Sequence, residues 1–168
     1  MVNIESISNL INQYFSNPYI IPFIISMLPI AELRLSIPFG ILVQGLAWKK
    51  VIIISVLGNF LIMIPVFIIV KYLSEYLMNY HFFYIIFKWI FDKTRKKSIN
   101  IEKFKFYGLV LFVGIPLPLT GAWTGCIASY LINLSIKKTF TGLFLGICMS
   151  ACIVTILTLL GHFAIYAN

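Results

Sequence analysis

Between residues 19 and 48 the chain is almost continuously apolar, and in its middle, between Pro29 and Pro38, stands Glu32-Leu33-Arg34. No feature limits the possible folds more. At the centre of a bilayer a carboxylate or guanidinium costs about 3 kcal/mol on insertion scales, so such groups turn away from lipid and mark functional sites. A second interruption, Pro116-Leu-Pro-Leu-Thr-Gly-Ala-Trp-Thr-Gly125, breaks the apolar stretch 106–136. Two broken apolar segments in corresponding positions of two halves point to a transport site.

The chain around these breaks is that of a membrane protein. Of its 168 residues 61% are hydrophobic and 11% charged, against roughly 45–50% and about 25% in soluble domains. The net charge of +8 does not point to nucleic acid, because the bases flank apolar spans instead of forming a soluble face. Residues 1–17 hold no Lys or Arg, which argues against a cleavable signal. Ile4, Ile7, Leu10, Ile11, Tyr14 and Phe15 recur at helical spacing and predict an amphipathic interfacial helix. The three cysteines, Cys126, Cys148 and Cys152, lie in apolar segments and read as small packing residues.

Two segments, 51–73 and 139–166, are long enough to span a bilayer. The broken ones differ. About 14 apolar residues flank Glu32 and Arg34 on each side, roughly 21 Å of helix, enough to enter a core of about 30 Å and turn back. Re-entrant helical hairpins fit both broken stretches, and a single kinked span through each is the competing reading. Between the halves, the aromatic-rich stretch 75–92 places His81, Lys88 and Asp92, with Arg95 beyond it, on one stripe and predicts a second interfacial helix. Ten of the thirteen Lys and Arg fall between residues 71 and 138, which predicts a cytoplasmic location for that side and leaves Lys49, Lys50 and both termini outside. The basic cluster 93–97 would face anionic lipid.

The halves echo each other. Leu46-Ala-Trp-Lys-Lys-Val51 is followed 88 residues later by Leu134-Ser-Ile-Lys-Lys-Thr139, and the same step carries Gly58 onto Gly146. The expected fold is all-α and integral to the membrane: an inverted repeat of re-entrant hairpin plus transmembrane helix, with amphipathic interfacial helices. It forms one multi-pass domain, with repeat 1 over about 18–73, an interfacial linker over 74–105 and repeat 2 over about 106–166.

Glu32 is the first candidate site residue, since a carboxyl withdrawn from water costs least when neutral and can exchange a proton. Arg34 offers a planar fork suited to an anionic group. Residues i and i+2 do not face each other on a regular helix, so their pairing requires an unwound tip, for which Pro29 and Pro38 provide. An ion pair that merely clamps the fold is the alternative. In the second break Pro116 and Pro118 release backbone carbonyls, Thr120 and Thr124 carry hydroxyls, Gly121 and Gly125 permit turns and close approach, and Trp123 supplies an amphipathic wall. Asn59, mid-span and one turn from Ser55, is a supporting polar group, more often an interhelical hydrogen bond than a ligand. No metal-ligand spacing, nucleophile elbow or cofactor motif is present, so neither a cofactor nor an enzyme is expected.

Ala31-Glu-Leu-Arg-Leu-Ser-Ile-Pro-Phe-Gly40 and Gly114-Ile-Pro-Leu-Pro-Leu-Thr-Gly-Ala-Trp-Thr-Gly125 resemble the two signature stretches of the small multi-drug export protein family, regarded as a branch of the DedA superfamily. The resemblance runs from about residue 20 to 160. It implies paired re-entrant hairpins and membrane transport, with Glu32 and Arg34 at the family's acidic and basic positions. The superfamily's proton-linked movement of polyprenyl phosphates and its lipid scrambling are the further implications. The arginine motif of classical DedA proteins has no counterpart in 116–125, which is uncharged. The function expected is a small, proton-coupled secondary transporter in the cell membrane, moving amphiphilic compounds outward or moving a lipid. Its partners would be membrane lipids and that substrate, with a homo-oligomer compatible. A membrane scaffold or assembly protein is the non-transport alternative.

Overall fold

The computed structural model describes residues 17–77, 79–80, 99–118 and 120–166. Over these residues the chain is all-helical. Six α-helices are described: α1 (Ile20–Met27), α2 (Glu32–Pro38), α3 (Trp48–Leu77), α4 (Ile99–Gly114), α5 (Ala122–Leu131) and α6 (Ile136–Tyr166), with a π turn, Phe39–Val43, continuing α2. The predicted N-terminal amphipathic helix, the stripe from His81 to Arg95 and the basic cluster 93–97 lie outside the described residues. Glu75, assigned from sequence to the linker, belongs to α3, and α4 begins seven residues before the expected end of that linker.

The two long helices are α3 and α6, both long and apolar enough to cross a membrane. Along α3 the residues Ile53, Leu57, Leu61, Ile64 and Ile68 are exposed. A row of large aliphatic side chains facing outward over four turns has no place in water and is the surface a helix presents to lipid. The other helices are short. At 1.5 Å per residue α1 is about 12 Å long, α4 about 24 Å and α5 about 15 Å, each less than a bilayer core of about 30 Å.

The chain divides into two compact units, residues 1–61 with 150–168, and residues 62–149. In the first, proline sets where the helices stop. The residue before a proline is pushed out of the helical region; Leu28, before Pro29, is extended at φ −75° and ψ 138°, and α1 ends there. Pro38 lacks the N–H that would bond to Arg34 four residues back. Phe39 donates to both Leu35 and Ser36, and the chain widens into the π turn, closed by Gln44 N–H on Phe39 O at 3.1 Å. Gly45, at φ +64°, ends the element.

α1 and α2 lie antiparallel and packed on each other: Ser36 Oγ donates to Pro22 O at 2.6 Å and Gln44 Nε2 to Pro18 O at 3.3 Å. Ser55 of α3 sits 2.6 Å from Ser36 Oγ. Since Ser36 gives its one proton to Pro22, Ser55 is the donor in that pair, and a hydroxyl relay joins all three segments. One turn along α3, a Cβ on Gly58 would lie 2.7 Å from Phe23 O, so only glycine lets α1 approach this closely. Leu33, Ile37 and Val51 complete the buried centre.

In the second unit two short helices again pack on each other, here largely through apolar contacts. α4 and α5 are antiparallel, with Lys105 Nζ donating to Ile132 O at 2.8 Å. A Cβ on Gly125 would collide with Val113 of α4 and lie 3.2 Å from Leu143 of α6. At Gly146 it would lie 3.0 Å from Val110 O. Met63, Phe67, Leu109, Cys126 and Ile147 are buried around these glycines, and Phe67 packs its ring on Phe140 at 5.4 Å. The cysteines divide: Cys126 is buried as expected of a packing residue, whereas Cys148 is half-buried and Cys152 is exposed. Cys148 and Cys152, four residues apart, share a face of α6, and spacing alone does not say which way that face points.

Candidate functional site

The α1–α2 turn builds the polar site of the first unit. It closes through Glu32 N–H on Leu28 O at 3.0 Å. Glu32, the first residue of α2, has φ +44°. Left-handed backbone costs a residue with a Cβ roughly 1–2 kcal/mol, and such conformations persist where the surroundings force them, commonly at functional positions. The same twist brings the i and i+2 side chains together: Arg34 Nη2 lies 3.6 Å from Glu32 Oε2. The carboxylate side chain is 8% exposed and the guanidinium 21%. The pair is therefore an unequal one, a buried acid beside a base that reaches the surface.

Around this turn the first unit is more polar than its composition suggests. Ser26, Ser36, Ser55 and Asn59 are all buried. The hydroxyls are used, Ser26 on Phe23 O at 2.6 Å and the other two in the relay. Asn59 is different: its Oδ1 is buried with no hydrogen-bond partner, where an interhelical bond was expected. An unsatisfied buried acceptor costs about 1–3 kcal/mol. Pro38 has an apolar setting. It lines an apolar recess of about 430 Å³ with Ile25, Leu28, Ala31, Leu35 and Leu42, and neither Glu32 nor Arg34 is among the lining residues.

The second break, 116–125, belongs to the second unit. Pro116 has no N–H with which to continue α4, which ends at Gly114. Two carbonyls within the break are engaged locally: Thr120 Oγ1 lies 3.0 Å from Ile115 O and 2.9 Å from Leu117 O. Thr124 Oγ1 donates to Gly121 O at 3.2 Å. Both threonines thus spend their protons inside the turn. Pro118 is exposed and Trp123 half-buried, while Gly121 and Gly125 are buried. Gly121 is extended, at φ 167°, and serves as the lead into α5.

Sequence reasoning missed three things. The hydroxyl relay was foreshadowed by Ser36 and Ser55, isolated polar residues in apolar runs. The π turn follows from Pro38. A basic cavity in the second unit, lined by Lys103, Lys137 and Lys138, was hidden because its lysines had been read for topology alone.

No curated protein and no solved structure matches the chain. Residues 32–153, well over half of its length, match the family model described as "Putative small multi-drug export protein". The match begins at Glu32, so it takes in the first broken segment from its charged pair onward and the whole of the second. With two helices fit to cross a bilayer and an outward-facing aliphatic surface, the chain is a membrane protein and belongs to this small multi-drug export family.

Proposed function

We propose that this protein is a small secondary transporter that exports amphiphilic compounds in exchange for protons, with Glu32 as the group that changes charge. The observation that carries this reading is Glu32 itself: an acid held in left-handed backbone and buried beside an arginine that remains accessible. Burial favours the neutral carboxyl and the neighbouring guanidinium favours the carboxylate. Opposed influences of that size leave the balance open to a substrate. A cationic amphiphile that enters beside the protonated Glu32 would take the carboxylate as its counter-ion and send the proton to water, and when the amphiphile leaves, the carboxyl takes up a proton again. Asn59 and Gln44, each with an unpartnered side-chain carbonyl, are further polar groups of that unit that a ligand could use. The description of the family as an export protein agrees with this direction of movement.

The architecture belongs to the same proposal: an inverted repeat of re-entrant hairpin plus spanning helix, with kinship to the DedA superfamily. Its support is the recurrence of contacts at a fixed step. Left-handed Gly45 and Asn133 are 88 residues apart, as are Gly58 and Gly146, and each of the latter two faces a carbonyl of the preceding antiparallel helix pair. Lipid is the alternative cargo, favoured by the apolar recess beside Pro38.

Proteoliposomes carrying the purified chain test the proposal. A fluorescent cationic amphiphile should move against its gradient when a pH gradient is imposed. Glu32→Gln should abolish that movement while the protein remains folded and monodisperse. If the double change Glu32→Leu with Arg34→Leu preserves both folding and transport, the charges are dispensable and the site assignment is wrong. If the native protein moves neither amphiphile nor labelled lipid, the scaffold reading replaces it.

A further inference from the structure

Two buried rows of residues face each other where α2 packs on α3. Ser36 Oγ lies 2.6 Å from Ser55 Oγ. In the π turn that continues α2, a Cβ on Gly40 would lie 2.8 Å from a methyl of Val51. Four residues forward from Ser36 thus meet four residues back from Ser55, so the two helices run antiparallel in this register. Rows of residues four apart are the ridges by which helices pack. One turn the other way along both rows brings Glu32 opposite Asn59. All six members are buried, Asn59 to 1% exposure.

The chemistry of this third pair is incomplete. An ionised carboxylate offers hydrogen-bond acceptors alone, and so does an amide carbonyl. With Glu32 ionised in its ion pair with Arg34, Asn59 Oδ1 is buried without a hydrogen-bond partner. A neutral carboxyl has one O–H to give, and the orphaned acceptor matches that proton. The other ionisable groups of the unit stand apart from the pair. Among the described residues, α1 has no titratable side chain, and on α3 none stands between Val51 and Leu61. Lys49 and Lys50 lie about two and a half turns from Asn59, their ammonium groups over the rings of Trp48 and Tyr19. Residues 150–166 of α6 bring Cys152, which is exposed, and His162.

We infer that Asn59 Oδ1 accepts the hydrogen bond of neutral Glu32, so that the carboxyl has a partner in each of its two states, Arg34 when charged and Asn59 when neutral. The assignment rests on Glu32 being the group that changes charge. Protonation moves one proton from water onto the carboxylate, and the new O–H donates to Asn59 Oδ1. Loss of that proton to water leaves the carboxylate with Arg34 and the amide carbonyl unpartnered again. Without Asn59 the neutral state would hold an unmet donor in a buried setting, which is costly. Asn59 is thus a positioning residue, which holds the neutral state against the pull of the guanidinium.

The test reads the infrared band of protonated carboxyl groups in the full chain, purified in detergent and acidified stepwise. Glu32→Gln identifies the Glu32 band by removing it. Asn59→Leu keeps the side-chain volume and removes the acceptor, so the band should move to higher frequency, where a carboxyl with an unmet O–H absorbs. If Asn59→Leu fails to fold, native protein grown with asparagine isotopically labelled at the side-chain carbonyl answers the same question. On acidification a labelled carbonyl band should move to lower frequency, and the movement should vanish in Glu32→Gln. A Glu32 band that Asn59→Leu leaves in place, or labelled carbonyls that do not respond to Glu32, would overturn the pairing alone. Absence of any Glu32 band would overturn the pairing together with the proton role of Glu32.

Discussion

Between α1 and α2 the chain reverses over four residues, 28–31, and between α4 and α5 over seven, 115–121. The shorter turn is closed by one backbone hydrogen bond, forces Glu32 into left-handed backbone and carries both charges. The longer one is built on two prolines, stapled by Thr120 onto Ile115 and Leu117, and uncharged. The helices after the turns differ in the same sense. α2 is fastened to its neighbours by the Ser55–Ser36–Pro22 relay, whereas α5 lies flush on α4 and α6 through Gly125. The first turn combines strain with charge, and the second is stapled and uncharged. Charge transfer needs groups with two states, and packing needs groups with one, which is why the proposed mechanism is built on Glu32.

That contrast is broken most forcefully at the packed side. Gly125→Leu must push against both Val113 and Leu143, and overpacking of this kind costs about 3 kcal/mol. Ser36→Ala, the counterpart on the polar side, removes one hydroxyl and leaves Ser55 without its acceptor, for about 1–2 kcal/mol. The yield of monodisperse protein and its unfolding temperature in detergent should therefore fall far more for Gly125→Leu. Equal losses would mean that the two units are fastened alike.

The strain at Glu32 is next in size. Glu32→Ala and Glu32→Gly both delete the carboxylate, and both should end transport. Only glycine accepts φ +44° without steric cost, so the glycine variant should be the more stable by about 1–2 kcal/mol. Thermal unfolding of the two side by side reads the strain free of the charge. If alanine proves as stable as glycine, the left-handed backbone at Glu32 is not a store of strain.

Much of this was legible in the sequence. The long helices follow from uninterrupted apolar runs, and both breaks from Pro29, Pro38, Pro116 and Pro118. The pairing of Glu32 with Arg34 was conditional on an unwound tip, and the left-handed residue meets that condition. The destination of the threonine protons was not legible: a hydroxyl near a proline can face a ligand or a carbonyl, and the choice depends on turn geometry that no spacing encodes. Asn59 was legible as a buried polar residue but not as an unpartnered one, because satisfaction depends on what lies across the helix. The basic cavity required knowing that Lys103 reaches the same space as Lys137, 34 residues later.

The smallest expected effect sharpens the repeat. Gly45 and Asn133, 88 residues apart, each hold left-handed backbone, at φ +64° and +53°. Each is followed by a leucine whose N–H turns back to the preceding helix, Leu46 to Gly40 at 2.9 Å and Leu134 to Ser129 at 3.0 Å. The first closure spans one residue more than the second. The extra residue can be located. Ser36 and Gly125, which make the matching contacts with α3 and α6, are 89 residues apart, so the step shortens by one between there and Gly45. Within that interval lies the π turn Phe39–Val43, and a π turn is what a single inserted residue produces in a helix. Under the repeat reading, then, the two caps are equivalent and the insertion lies upstream of them. Asparagine tolerates this conformation better than other residues with a side chain, and a Cβ at Gly45 would meet no atom within 4 Å. Gly45→Asn should cost about 0.5 kcal/mol or less and Asn133→Gly should return a similar amount, with the double swap near neutral in thermal unfolding. Gly45→Val, by contrast, should cost about 1–2 kcal/mol. If Gly45→Asn is as damaging as Gly45→Val, the caps are not interchangeable, and the shared step of 88 residues loses its strongest structural support.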